Sequence, residues 1–221
     1  MDSDPKAPLA MPPAEQATRE ATHEPSAAAV RHLFRNQIQA MTSMVGLFGR
    51  RLPPGEGRDA FLDLRARFEA ATFGPGDEAV PDAEGRYEID LGDVARRVAG
   101  HLDPDFRHRL AIDAAPIWAT PKRAAVLAQI LAEHVIELYR HGFHDGRAGS
   151  AELSVAPTAD GGVRSLLVQT GPEAMEPRRD ASDLGVAISE SLLRSLRGSS
   201  TRAPTGHLSI EAVTPPEDRA R

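Results

Sequence analysis

Between residues 29 and 52, apolar side chains fall at Val30, Phe34, Ile38, Met41, Val45, Phe48 and Leu52, in steps of four and three. At about 100° per residue these positions fill roughly an 80° arc, the pattern of a long amphipathic helix that packs against other helices. His32, Asn36, Gln39 and Ser43 fall near the opposite side of that wheel, which predicts a histidine held out to solvent on a rigid rod. The helix is expected from Pro25–Ser26, since proline is tolerated in a first turn, to Leu52, where Pro53-Pro54-Gly55 stops it. A second helical pattern places Phe61, Leu64, Phe68 and Ala71 on one face and ends near Phe73-Gly74-Pro75. Two helices joined by so short a turn make an antiparallel hairpin. Its apolar face either packs on the rest of the chain or pairs with a second copy in a four-helix bundle, and the three-and-four spacing favours the homodimer.

Residues 74–85 read as a Gly/Pro/Asp/Glu linker, after which the pattern becomes mixed. Strands are expected at Arg86–Leu91, Arg109–Ala114, Ala151–Pro157, Val163–Gln169 and His207–Val213. Helices are expected at Leu91–Leu102, from Thr120-Pro121 to about His141, and at Leu184–Leu196. Asp160-Gly161-Gly162 marks a β-hairpin turn. Helices on one side of a mainly antiparallel sheet give an α+β sandwich. The expected division is a disordered leader over 1–24, the helical hairpin over 25–75, the sandwich over 86–213 and a frayed tail over 214–221.

Composition narrows the function classes. A chain of 221 residues is long enough for one large or two small domains. Its net charge of −6 gives no global field that favours nucleic acid or an anionic membrane. The absence of cysteine excludes disulfides and thiolate chemistry, and it fits a reducing cytoplasm. No transmembrane span is expected, because the most apolar helix is interrupted by Gln129, Glu133, His134 and Glu137. His101 and His108 lack ligand spacing, and His134 and His141 read as packed residues, so no metal site is expected.

Three runs carry a resemblance. His32-Leu33-Phe34-Arg35-Asn36-Gln37-Ile38-Gln39-Ala40-Met41-Thr42-Ser43-Met44 is similar to the phosphoacceptor box of a subclass of bacterial histidine kinases, roughly H-R-V-K-N-N-L-Q-V-I-S-S-L. His32, Arg35, Asn36, Gln39 and Ser43 fit, while Leu33 departs from it. Leu131–Phe143 resembles the second box, L-N-E-L-V-T-N-A-L-K-H-A-F, in Glu133, Arg140, His141 and Phe143; Glu137 replaces the asparagine that helps hold magnesium. In the third box, D-x-G-x-G, Gln169 replaces the adenine-binding aspartate, Gly171 is kept and Glu173 replaces the second glycine. The last glycine-rich box is absent from Arg197–Gly206. The whole resembles the dimeric histidine phosphotransferases of bacterial phosphorelays, which keep a degenerate kinase-type sandwich.

The resemblance implies His32 as the phosphorylated residue, with Arg35 offsetting phosphate charge and Asn36 orienting the imidazole or a water. It implies that Glu133, Glu137, Gln169 and Gly171 are remnants of an ATP site. No cofactor would then reside on this chain, since a partner receiver domain supplies magnesium. The implied partners are response-regulator receivers, a hybrid histidine kinase and a second copy of the chain. An imidazole, largely neutral and nucleophilic near neutral pH, needs little more from its own chain. The alternatives are a sensorless ATP-dependent kinase working through Glu133, Glu137 and Gln169, and a scaffold that binds regulators without transfer.

Overall fold

A computed structural model of the chain describes residues 27–76, 79–143, 148–170, 184–203 and 207–217. The expected leader and Gly171 lie outside the described residues, as does the tail beyond Glu217.

Helix α1, Ala27–Arg51, and helix α2, Glu56–Ala71, form the antiparallel hairpin. Pro53, Pro54 and Gly55 make the turn, and Gly55 takes a φ of 142° that other residues rarely adopt. The pairing face of α1 is made of small residues. A Cβ on Gly49 would meet Phe61 Cβ at 3.0 Å, and one on Gly46 would meet the Arg65 guanidinium at 3.3 Å. Thr42, Gly46 and Gly49 are buried there, with Ile38, Val45 and Leu52 half-buried beside them. The expected seam is therefore split. Ile38, Val45 and Leu52 turn towards α2, whereas Val30, Phe34, Met41 and Phe48 stay exposed, joined by Leu33, Met44 and Leu47. On α2, Phe61 and Phe68 are half-buried, while Leu64 and Ala71 face out.

The rest is a two-layer sandwich. Strand β1, Tyr87–Ile89, pairs antiparallel with β3, Ile117–Ala119. A five-stranded sheet runs in the order β2-β4-β5-β7-β6, formed by Arg109–Ala114, Ser150–Pro157, Val163–Thr170, Ser209–Thr214 and Ser199–Arg202 respectively. Among the described residues, only the β2–β4 pair is parallel. Helices α3, Leu91–Leu102, α4, Pro121–Glu137, and α5, Leu184–Ser195, pack on one another and on the sheet. Asp90 caps α3 by accepting from Gly92 N at 2.7 Å, and Thr120 caps α4, with Pro121 in its first turn. The end of α4 widens into a π-helical turn, Leu138–Gly142.

Alternation builds the core. Ala151, Leu153 and Val155 of β4 and Leu167 of β5 point inward, while Glu152 and Ser154 point to solvent. Ala66 and Ala70 of α2 are fully buried in the same cluster, so the hairpin and the sandwich share one core. The tail is not frayed up to Glu217. Arg123 Nη2 donates to Thr214 Oγ1 and to the Pro215 carbonyl, and the Glu217 carboxylate accepts from Thr120 Oγ1 and N at the amino end of α4.

Candidate functional site

The three faces of α1 give His32 its setting. One face meets α2, one is apolar and open, and the third carries His32, Asn36, Gln39 and Ser43, all exposed. Arg35, one turn from His32 on the side towards α2, is half-buried. His32 borders a groove of about 800 Å³ with one wall from α1 (Val30, Phe34, Arg35), a floor from Thr72–Gly76 and a far wall from the sandwich at Tyr87 and Pro121. A smaller recess beside it, of about 360 Å³, is lined by Arg35, Gln39, Glu69 and Arg97 among others. His32, Arg35 and Asn36 are thus brought together, with the imidazole open to a visiting surface.

The other sequence-derived positions lie elsewhere, on or beside the far half of α4. Glu133 is 3% exposed and faces the hairpin. Arg67 of α2 grips it with both arms, Nε to Oε1 at 2.7 Å and Nη2 to Oε2 at 2.9 Å. One turn on, Glu137 meets a different neighbour. Arg202 of β6 donates to its two oxygens at 3.0–3.2 Å, and also to Ser189 Oγ at 3.2 Å and Ser200 Oγ at 3.1 Å. Gln169, at the end of β5, donates from Nε2 to the Gly142 carbonyl at 2.6 Å and accepts from Leu208 N at 3.3 Å. His134 is fully enclosed. Burial, reinforced by the Arg202 charge, depresses its pKa to about 3, so it is neutral.

Arg67 and Arg202 were not singled out by the sequence. Arg67 has one faint signal, its place four residues after Asp63 and eight after Asp59 on one side of α2. Arg202 has none, because Ser-Ser-Thr-Arg shows no apolar alternation and β6 itself is invisible in the pattern. Arg140, placed by its fit to the second box, reaches across to the hairpin, with Nη2 2.6 Å from Asp63 Oδ1 and Nη1 3.2 Å from Asp59 Oδ1. A third link joins Arg97 of α3 to Glu69 at 3.4 Å. The Glu69 carboxyl is held below its ordinary value by His101 and Arg97, against its partial burial. Among the described residues, no three His, Asp or Glu side chains come together as a metal site, and no helix is long and apolar enough to cross a membrane.

No protein-family profile matches the chain, and no curated protein is similar to it in sequence. Solved structures are similar in shape. The histidine kinase domain of the blue-light activated histidine kinase EL346 from Erythrobacter litoralis superposes with a TM-score of 0.55 at 15% identity, covering 85% of this chain and 89% of that one. The fold is histidine-kinase-like. The longer structure of the same Erythrobacter litoralis kinase superposes with a TM-score of 0.57 at 13% identity, and covers 88% of this chain and 66% of its own length. The superposed 85% of the chain is longer than the sandwich alone.

Proposed function

We propose that the chain is a homodimeric histidine phosphotransferase that exchanges phosphoryl groups with receiver domains through His32. A ring nitrogen of His32 attacks the phosphorus of a receiver's aspartyl phosphate, the P–O bond to the aspartate breaks, and the carboxylate leaves. The reverse step loads a second receiver. Arg35 lies close enough on the helix to offset phosphate charge, and Asn36 to orient the ring or a water. The receiver supplies magnesium and further positive charge, which relieves this chain of most electrostatic stabilisation. A hybrid histidine kinase is the expected upstream donor.

The observation that carries this reading is the Arg202–Glu137 pair. At the position where the resemblance places a magnesium ligand, a guanidinium already neutralises the carboxylate. Gln169 likewise spends its amide on two backbone groups. As they stand, these residues do not fit a magnesium nucleotide. The exposed apolar face of α1 supports the second copy. Val30, Leu33, Phe34, Met41, Met44, Leu47 and Phe48 all stay open on one helix, and pairing two hairpins in a four-helix bundle would bury them.

The test is transfer from a phosphorylated receiver to the purified chain, with His32→Gln beside the wild type. Label is expected on the wild type alone, and it should be chased back by an unphosphorylated receiver. Normal transfer by His32→Gln contradicts the site. Receiver binding without transfer favours the scaffold, and labelling of His32 by Mg-ATP alone favours the kinase.

A further inference from the structure

The groove beside His32 has one wall on the hairpin and the other on the sandwich, so its width depends on how the two are set against each other. A row of charges along α2 spans the seam between them. Asp59 and Asp63 hold Arg140, Arg67 holds Glu133, and Glu69 meets Arg97. Between and beside these rungs, the residues that α2 buries fully in the shared core are Ala66 and Ala70, both small and smooth. Two alanines on a helix face resist sliding weakly, because neighbouring registers bury nearly the same area. A bidentate arginine–carboxylate pair tolerates one geometry only. Such half-buried pairs add little net stability over apolar residues of the same size, and their best-attested use is to select one register.

Building on the phosphotransferase reading above, we propose that Arg67 and Arg140 are positioning residues. They lock α2 to α4, so that the hairpin and the sandwich present one rigid, two-walled seat for a receiver domain. Glu133, which the resemblance assigns to ATP chemistry, serves as the sandwich's half of that lock. A kinase of this architecture must bring its nucleotide domain up to the histidine; a locked seam instead keeps the site beside His32 open to a separate protein.

Arg67→Glu sets two carboxylates against each other at the central rung. The measurement is the rate of transfer from a phosphorylated receiver over a range of receiver concentrations. The expected result is a KM about tenfold higher with kcat within about twofold of wild type. Labelling of His32 by phosphoramidate, a small donor that needs no docking seat, should be unchanged. Arg67→Glu combined with Glu133→Arg should restore KM. An unchanged KM in Arg67→Glu, or a raised KM that the exchanged pair fails to restore, overturns the proposal.

Should Arg67→Glu not fold, Asp63→Asn weakens the Arg140 rung without setting like charges together and is held to the same split between KM and kcat. A second measurement needs no seam variant. The chain has no cysteine, so Gln37→Cys and Glu152→Cys can carry spin labels in full-length protein diluted with unlabelled chain. One narrow distance distribution is expected, and a broad or double one overturns the rigid seat. A wild type that accepts phosphoryl groups from phosphoramidate but from no receiver removes both the phosphotransferase reading and this role. If the receiver transfers normally and KM ignores the seam, only the positioning claim fails.

Discussion

Arg202 and His134 show what becomes of a polar pocket when the fold closes on it. Removing the guanidinium with Arg202→Met leaves Glu137 buried without its counter-charge, which typically costs about 3–5 kcal/mol. Adding Glu137→Leu to that variant should return stability to within about 1 kcal/mol of wild type, because an apolar pair removes the unpaired charge. Chemical denaturation of the two variants checks both values. His134 gives the chain a pH dependence. Its folded pKa of about 3 lies below the ordinary 6.5, so between those values the unfolded chain binds a proton that the folded chain refuses. This contribution is complete above pH 6.5 and is lost as pH falls, by about 2 kcal/mol between pH 7 and pH 5. His134→Leu should flatten the denaturation midpoint over that range relative to wild type. The enclosed character of His134 was legible from its place in an apolar helix. The carboxylate at position 137 is legible too, but the arginine that pairs with it is not, because 65 residues separate the two.

Elements were read well wherever burial imposed a period. Helix α3 and strand β2 coincide with their expected spans, and α4, β4, β5 and α5 fall within a few residues of theirs. Strands β3 and β6 leave no mark in the pattern, the first for its three-residue length and the second for its polar sequence. The seam of α1 is only half legible, because an amphipathic wheel cannot tell which apolar residues meet α2 and which stay open. Glycines decided that. Gly46 and Gly49 let α2 approach on one side, and the bulky residues are left for the other. Gly49→Ala should therefore destabilise the hairpin despite alanine's better helix propensity, since the new methyl meets Phe61 Cβ at 3.0 Å, an atom fixed to its backbone. Gly100→Ala, with nothing within 4 Å, should instead gain up to about 1 kcal/mol, and thermal melts of the pair of variants compare the two.

For the whole molecule, the helical pair followed by mixed strands and helices, and the α+β class, are legible in the sequence, and the structure has that element order. The shared core could not be read, because Ala66 and Ala70 are too small to show a period, and the charged seam joins residues from distant stretches. The open face of α1 makes its own prediction. Met41→Glu together with Phe48→Glu should convert a dimer into a monomer in sedimentation equilibrium, while the circular dichroism of the sandwich persists. A wild type that sediments as a monomer at micromolar concentration contradicts the bundle.

At the centre stands the claim that His32 is charged by another protein and not by this chain's own nucleotide site. Labelling the wild type in two parallel reactions, one with millimolar Mg-[γ-32P]ATP alone and one with a 32P-phosphorylated receiver, tests it in a single gel. The account predicts acid-labile label from the receiver only, absent in His32→Gln; label from ATP alone, or none from the receiver, would contradict it.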